Sequence, residues 1–223
     1  MNKKNKKSVF GTAEWAEKTV NFINGCEHGC LYCYANEMAI RFKRKTTSNW
    51  KEEVANLKTY EAKPPKAKKG FVMYPSTHDL TPNNMLYTVK YLGKLLDAGN
   101  QVLIVTKPHI EVIQLICKNY EDYRDKILFR FTIGSINSET LKFWEPNATD
   151  YEERKACLIY AFEHGFKTSI SCEPMLDDFA ISLVAELQPY VTDKIWLGKM
   201  NYLKRRLTKN GFYEDENIIR KAN

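Results

Sequence analysis

The chain has 223 residues, of which 43% are hydrophobic and 13% aromatic, and it carries a net charge of +7 at pH 7. This composition supplies a core for one domain or two small ones and excludes global disorder. No segment approaches the roughly 20 apolar residues of a membrane span, and the start MNKKNKK lacks the apolar stretch of a secretion signal. We therefore expect a cytoplasmic protein with a single domain over residues 1–223, in which a core at about 19–200 lies between a basic N-terminal tail and a helical C-terminal extension.

Three of the six cysteines crowd into one predicted loop. The chain enters this loop from a short predicted strand, Val20–Gly25, and leaves it into a helix that runs from Tyr34 to about Arg44. The loop reads Cys26-Glu27-His28-Gly29-Cys30-Leu31-Tyr32-Cys33. In a reducing compartment, clustered cysteines indicate metal binding or catalysis rather than disulfides. Three thiolates can hold three irons of a 4Fe–4S cluster and leave the fourth iron open to a reactant.

Zinc is the alternative metal for this loop, because structural zinc sites use the same residue types. A Cys3His site would take His28 or His78 as its fourth ligand. In this alternative, the chain would be a nucleic-acid-binding module that carries zinc or an iron–sulfur cluster and has no catalytic activity. Cys117 and Cys157 stand among Leu, Ile and Ala in helical patterns, so we predict that both are buried core side chains.

Strands and helices alternate along the rest of the chain, which predicts β-α-β units in a parallel sheet. The further predicted strands are Phe71–Tyr74, Gln101–Thr106, Ile127–Ile133, Phe166–Cys172 and Lys194–Leu197. The predicted helices are Pro82–Ala98 with Thr81 as its N-cap and Gly99 as its C-cap, Ile110–Cys117, a helix through His164 that starts at a capping box over Thr149–Glu152, and Phe179–Leu187.

Basic residues gather in four segments. These segments are Lys3–Lys7, Arg41–Lys45, Lys63–Lys69 and Lys199–Lys209. They are either solvated surface or an attraction for phosphate-rich partners. Arg41–Lys45 follows the cysteine loop closely, and we expect that it and Lys204–Arg206 can rim one open face.

The cysteine loop resembles the radical S-adenosylmethionine (SAM) superfamily, whose pattern is C-x3-C-x-aromatic-C. Cys26, Cys30 and Cys33 match the cluster ligands of that family, and Tyr32 matches the aromatic position. The resemblance implies a 4Fe–4S cluster whose open iron chelates SAM, and reductive cleavage of SAM to a 5′-deoxyadenosyl radical that abstracts hydrogen from a substrate. It also implies an α/β fold, a partial (β/α)6 TIM-like barrel of parallel strands.

In such a barrel, reactive groups lie at the carboxyl ends of the strands. The residues just past the second to sixth predicted strands are Ser76, Thr77, His78 and Asp79; Lys107; Ser135 and Asn137; Cys172 and Glu173; and Lys199 and Asn201. Several of these complement the groups that SAM presents. The expected contacts are Tyr32 or Tyr34 for the adenine, Asp79 and Glu173 for the ribose and ammonium, and Lys107 with Ser135 for the carboxylate.

Within the superfamily, the chain is similar to spore photoproduct lyases and to short phage- and bacterial-type radical SAM proteins. Besides the cysteine loop, the similarity rests on Ser76–Asp79, Thr106–Pro108, Trp144–Arg154 and Ser171–Pro174. It implies SAM contacts from the residues Tyr32, Tyr34, Thr77, Asp79, Lys107 and Ser135.

The chain departs from that group in two ways. The lyases are longer, with a further DNA-binding portion, and they use a hydrogen-donor cysteine in the segment that aligns with Ser76–Asp79. Ser76 stands there instead, and a serine O–H bond is too strong to replace a thiol, which argues against thymine-dimer lyase activity. Cys172 is either a catalytic thiol donor from another strand end or a core cysteine.

We therefore expect a radical SAM enzyme whose substrate the sequence does not identify. The basic segments make a nucleic acid or a nucleotide the first hypothesis for that substrate. SAM and an electron donor such as flavodoxin or ferredoxin are the other expected partners. A subunit that binds SAM and activates a partner protein is a further alternative.

Overall fold

Six parallel strands form the main sheet of this chain, whose computed structural model describes residues 11–212. The strands in this range are β1 (Lys18–Thr19), β2 (Ile23–Asn24), β3 (Val54–Ala55), β4 (Phe71–Met73), β5 (Gln101–Thr106), β6 (Ile127–Thr132), β7 (Lys167–Cys172) and β8 (Ile195–Leu197). The order in the main sheet is β1-β4-β5-β6-β7-β8, while β2 and β3 form a separate antiparallel pair. With β1 and β8 at its two edges, the sheet is the predicted partial barrel of parallel strands.

Helices connect the strands of the main sheet. The helices of the described chain are α1 (Thr12–Trp15), α2 (Tyr34–Arg41), α3 (Leu57–Glu61), α4 (Met85–Asp97), α5 (Ile110–Asn119), α6 (Ser138–Trp144), α7 (Tyr151–Glu163), α8 (Ala180–Leu187) and α9 (Leu203–Lys209), with 3-10 turns at Glu121–Lys126 and Gln188–Tyr190. Because α4, α5, α7 and α8 each lie between consecutive strands, they form the predicted strand–helix–strand units.

Two apolar clusters cover the two faces of the sheet. The face toward the connecting helices carries Val102, Ile104, Phe129, Phe131 and Ile170. The opposite face carries Met73, Leu103 and Leu128, which pack with Trp15 and Ala16 from the α1 segment. Leu103 and Leu128 are register partners near the start of their strands, so the α1 segment packs inside the barrel, where its Glu14 and Trp15 also line the large cavity beside the cysteine loop. The carboxyl ends of the strands stay available for a site.

The first barrel strand differs from the prediction. Val20–Gly25 was predicted as that strand, whereas Lys18–Thr19 pairs with Val72 and Met73 and the chain then leaves the sheet. The departure is fixed by Asn21, whose Oδ1 accepts the backbone N–H groups of Ser76 (2.7 Å) and Thr77 (2.9 Å). The apolar residues that suggested a strand, such as Phe22, are buried in the main core instead.

Two predicted helix starts were also wrong. Helix α4 begins at Met85 rather than Pro82, because Asn84 accepts the N–H of Thr81 (3.2 Å) and closes a turn over the residues between them. Helix α7 is capped by Asp150, which accepts the N–H of Glu153 at 2.9 Å. The hydroxyl of Thr149, the predicted cap, donates to the carbonyl of Pro108 instead (2.8 Å).

Cys117 and Cys157 are buried in the main core, as predicted. The predicted basic N-terminal tail lies outside the described residues. Across residues 11–212, the helices are too short or too polar for any of them to cross a bilayer.

Candidate active site

The cysteine loop lies between β2 and α2 at the edge of a large cavity. Cys26 and Cys30 are buried, Cys33 is half-buried, and all three line this cavity of about 1090 Å³. Cys33 is also the N-cap of α2, and its sulfur accepts the N–H of Asn36 at 3.4 Å. A helix N-terminus stabilises negative charge, so this position favours a thiolate.

Three distant segments hold the backbone of the cysteine loop. The N–H of Cys26 donates to the carbonyl of Trp50 (3.1 Å), and the N–H of Leu31 donates to the carbonyl of Trp144 (2.9 Å). The side-chain amide of Asn210 donates to the carbonyls of Leu31 (2.9 Å) and Cys33 (3.0 Å). These bonds fix the three sulfurs relative to one another without using the sulfurs themselves.

Gly25 lets the Trp50 segment approach the loop. Its φ is +100°, a region that L side chains rarely adopt, and a Cβ there would lie 2.2 Å from the carbonyl oxygen of Glu52. Any side chain at this position would push the supporting segment away from the cysteines.

Asp79 connects the ends of two barrel strands to the cysteine loop. Its Oδ1 accepts the N–H of Lys107 (2.8 Å) and the hydroxyl of Thr106. Its Oδ2 lies 3.2 Å from Nδ1 of His28, and Nε2 of His28 lies 2.9 Å from Nε2 of His109. The carboxylate therefore holds the loop and the end of β5 in one arrangement.

Lys107 stands between two buried carboxylates. Its Nζ is 3.8 Å from Asp79 Oδ2 and 3.9 Å from Glu145 Oε1. Glu145 is fully buried, accepts the hydroxyl of Tyr32 and forms an ion pair with Arg154 at 2.7 Å. A buried carboxylate is costly to desolvate, and Arg154 offsets that cost because it is itself held by the carbonyls of Thr149 and Thr132.

The pKa values of these groups follow from burial and neighbouring charge. Burial raises the pKa of the Cys26, Cys30 and Cys33 thiols above the usual value. Burial would also lower the pKa of Lys107, but the acidic groups around it, which are Cys30, Tyr32, Glu145 and Asp79 in decreasing order of effect, raise it well above its usual value. Lys107 is therefore a permanent cation beside three thiols that ionise readily only when further positive charge compensates them.

The structure brings most of the predicted site residues to one cavity. Those that line it are Cys26, Cys30, Cys33, Tyr32, Tyr34, Thr77, Asp79, Lys107 and Glu173. Ser135 and Cys172 are not among its lining residues. Ser135 is buried between the N–H of Asn137 (2.7 Å) and the carboxylate of Asp177.

Cys172 faces the helices rather than the cavity. It is fully buried in the main core, with its sulfur 3.8 Å from the carbonyl of Gly134. Successive strand residues point to opposite faces of a sheet, so its neighbours Ser171 and Glu173 line the cavity while Cys172 does not.

Several residues of the site were missed or only partly assigned by the sequence. Trp50, Asn210, and the Glu145–Arg154 pair support the site through long-range contacts that no local pattern indicates. The cavity is also lined by a C-terminal stretch of the chain, comprising Lys199, Met200, Asn201, Tyr202 and Arg206. Lys199 and Asn201 were expected at this end of the sheet, whereas Met200 and Tyr202 were not predicted as cavity residues.

The histidines are poorly placed as fourth zinc ligands. Both ring nitrogens of His28 already face protein partners, Asp79 and His109, although a sulfur of Cys26 and an oxygen of Asp79 lie within 4.8 Å of the His28 ring. His78 is buried against the rings of Phe22 and Tyr74, and among the described residues it belongs to no group of three or more ligand atoms that lie within 4.8 Å of one another. Three cysteines without a fourth ligand of this kind fit a 4Fe–4S cluster with one open iron.

Comparison with known proteins agrees with this donor set. The family model of the radical SAM superfamily matches residues 20–176. The uncharacterized protein ORF301 of Acidianus two-tailed virus is 28% identical over 175 residues, which are 72% of this chain and 56% of the viral protein. The chain thus matches little more than half of that relative's length.

Solved structures of spore photoproduct lyase share the fold. The lyase complexed with dinucleoside spore photoproduct superposes with a TM-score of 0.64 at 17% identity, covering 95% of this chain and 65% of the lyase. A lyase variant with bound AdoMet and dinucleoside spore photoproduct gives a TM-score of 0.60 at 18% identity, covering 88% and 61%.

The fold and the site together define an α/β partial barrel with a three-cysteine metal centre at the carboxyl ends of its strands. The chain belongs to the radical SAM superfamily. Its cofactors are accordingly a 4Fe–4S cluster and SAM, and the cysteine loop and the polar cavity beside it fit both.

Proposed function

We propose that this protein is a cytoplasmic radical SAM enzyme, built as one domain over residues 1–223, that acts on a nucleic acid or nucleotide. One observation carries the proposal. The three loop cysteines, Asp79 and Lys107 line a single cavity at the carboxyl ends of the strands. When bound there, the cluster and SAM supply a 5′-deoxyadenosyl radical that abstracts a hydrogen atom from the substrate.

Different residues of this chain bind the cluster and SAM. Cys26, Cys30 and Cys33 hold the cluster. Lys107 is the cation for the carboxylate of SAM. Asp79 orients Lys107 rather than binding SAM, because both of its oxygens already contact groups of the protein, including the backbone N–H and the Nζ of Lys107.

The remaining cavity residues suit the other groups of SAM. Tyr32 and Tyr34 offer ring surfaces for the adenine, and Thr77 offers a hydroxyl for the ribose. Glu173 is the acceptor for the ammonium group. Burial and the nearby Glu14 raise the pKa of the Glu173 carboxyl, so a bound cation would stabilise its charged form.

The mouth of the cavity supports the choice of substrate. Lys199 and Arg206 supply cations for phosphate, and the ring of Tyr202, which is 68% exposed and has the Arg205 guanidinium over one face (4.6 Å), offers its other face for stacking with a base. The described cavity wall carries no thiol besides those of the cysteine loop. We therefore leave repair of thymine dimers, which the resemblance ties to a separate hydrogen-donor cysteine, out of the proposal.

The test begins with anaerobic reconstitution of the protein with iron and sulfide, followed by dithionite and SAM. We expect 5′-deoxyadenosine from the unaltered protein and none from the variant Cys30→Ala. A preparation that holds one zinc per chain and leaves SAM intact would contradict the enzyme and favour the nucleic-acid-binding module.

The substrate class has its own test. We expect a fluorescent single-stranded oligonucleotide to bind the reconstituted protein, with binding weakened by Arg206→Gln and by added salt. The matched control is Arg124→Gln, because Arg124 lies beside Glu121 on the outer helical layer. Equal binding by both variants and the unaltered protein would remove Arg206 from the substrate site.

A further inference from the structure

Helices α2 and α9 lie side by side on the cysteine loop. Arg205 Nε of α9 is 2.9 Å from Glu37 Oε1 of α2. Cys33 is the N-cap of α2, and Leu207 of α9 packs in an apolar cluster with Cys30. Because Cys33 caps α2 and a helix with its side chains is about 10 Å across, the outer surface of α2 is about one helix diameter from the inner side of that helix.

The outer surface of these helices is strongly basic. We define the α2–α9 face by its exposed cations, which are Arg41, Lys43, Arg44, Lys204, Arg205 and Lys209. In residues 34–44 and 203–209, the acidic residue is Glu37, which pairs with Arg205. Two exposed apolar side chains, Met38 (40% exposed) and Phe42 (58% exposed), lie on the same stretch of α2.

The cations of the α2–α9 face do not line the substrate cavity, which the face meets at Arg205, whose guanidinium lies over the Tyr202 ring (4.6 Å). On α9, Arg206 lines the cavity and Leu207 is buried, whereas Lys204, Arg205 and Lys209 are exposed. SAM and substrate enter through the cavity, so an electron carrier that docked there would compete with both. The α2–α9 face offers a second approach to the cluster that stays open when the cavity is full.

We propose that the α2–α9 face docks a small acidic one-electron carrier protein, which reduces the cluster through this helical layer. The proposal rests on the proposed function, since it names a partner of the same site. One electron passes from the reduced carrier to the oxidised cluster; the carrier is oxidised, the cluster is reduced, and no bond or proton is transferred. Charge complementarity identifies the occupant, because opposite charge steers rapid encounters between redox partners through small interfaces.

The experiment uses reduced flavodoxin as the acidic carrier and the reconstituted holoenzyme. The variant Arg41→Glu/Lys43→Glu/Arg44→Glu reverses the exposed charge that follows α2. The matched control, Lys63→Glu/Lys66→Glu/Lys68→Glu, reverses as much charge in the loop that precedes β4, at the amino end of the strands. Both variants are first checked for full iron content.

Stopped-flow absorbance measures cluster reduction, and calorimetry measures flavodoxin binding. At low salt we expect the Arg41/Lys43/Arg44 variant to be reduced by flavodoxin at least about tenfold more slowly and to bind it more weakly, while the control matches the unaltered protein. Both variants should form 5′-deoxyadenosine normally with dithionite, which needs no docking site.

Two results would overturn the docking proposal while leaving the enzyme in place. One is an unchanged flavodoxin rate in the Arg41/Lys43/Arg44 variant. The other is loss of oligonucleotide binding in that variant with flavodoxin reduction intact, which would assign the face to nucleic acid. If the unaltered protein fails to form 5′-deoxyadenosine even with dithionite, the proposed function falls, and the docking proposal falls with it.

Discussion

The six cysteines form two sets of three that differ mainly in their surroundings. Cys26, Cys30 and Cys33 share one loop and line a polar cavity with Lys107. The second set is Cys117, Cys157 and Cys172, which lie on α5, α7 and β7 within the main apolar core.

Burial raises the thiol pKa in both sets, to about 12 for Cys117 and Cys172. A raised thiol pKa therefore does not distinguish a metal ligand from a packing residue in this chain. What distinguishes the sets is the convergence of three sulfurs on a cavity that also carries a cation and fixed hydrogen-bond donors.

The largest expected effect separates the two sets directly. Cys30→Ala should abolish the iron content and visible absorbance of the reconstituted protein, because a three-thiolate site loses one of its three ligands. The core variant Cys157→Ala should keep both and lose only about 1 kcal/mol of stability. Iron and sulfide analysis with a urea titration checks both, and full iron in Cys30→Ala would refute the ligand assignment.

The polar wall beside the first set should be nearly as sensitive. Arg154→Met removes the closer ion-pair partner of the fully buried Glu145 carboxylate and leaves it only Lys107 at 3.9 Å, which should cost about 3 kcal/mol in the free energy of unfolding. The double variant Glu145→Gln/Arg154→Met removes both charges and should recover much of that loss. Equal destabilisation in the single and double variants would show that the pair does not act as a unit.

Lys107 should affect SAM rather than the cluster. We expect Lys107→Ala to weaken SAM binding about tenfold, equivalent to about 1.4 kcal/mol, because a charge-assisted contact is lost. Its iron content should stay normal. Lys167→Ala is the control, because it removes an exposed amine that donates a hydrogen bond to the carbonyl of Asp125. Equilibrium binding of SAM to both variants decides the point, and unchanged affinity in Lys107→Ala would exclude Lys107 from the site.

Asn210 tests whether remote support matters to the first set. Asn210→Ala removes two hydrogen bonds to the cysteine loop, worth about 1 kcal/mol each. We expect the cluster to bleach in air several-fold faster than in the unaltered protein. Asn119→Ala is the matched control, because it removes a hydrogen bond from a side-chain amide to the Leu115 carbonyl at an exposed helix end. Identical bleaching of all three proteins would contradict a supporting role for Asn210.

The smallest effect concerns Cys172. Because its sulfur faces the core, we expect Cys172→Ala to cost about 1 kcal/mol of stability and to form 5′-deoxyadenosine at the normal rate. Chemical denaturation and product analysis check the two parts. A selective change in products from substrate, with stability unchanged, would return Cys172 to the catalytic role that its position in the sequence suggested.

Local signals account for the parts of the fold that were predicted correctly. The apolar run Gln101–Thr106 is β5 with the predicted bounds, and the strands near Phe71, Ile127 and Phe166 lie within a residue or two of expectation. Failures occurred where a side chain redirects the backbone, as Asn21 does after β1 and Asn84 does before α4. The Asn21 bonds depend on a segment 55 residues further along the chain. The Asn84 bond closes a local turn over three residues, which hydrophobic periodicity does not distinguish from a first helical turn.

The sequence by itself determined the parallel α/β sheet and the cysteine loop, because strand–helix alternation and cysteine spacing act over a few neighbouring residues, while the partial barrel followed from the family resemblance. The tertiary structure alone decided that Cys172 faces the core, that Glu145 meets Arg154, and that Asn210 reaches back to the loop. These facts depend on which face of a strand is covered and on contacts between residues far apart in the chain. The residues that carry the chemistry of the site can be recognised from local sequence, whereas the contacts that hold them in place form only when the chain folds.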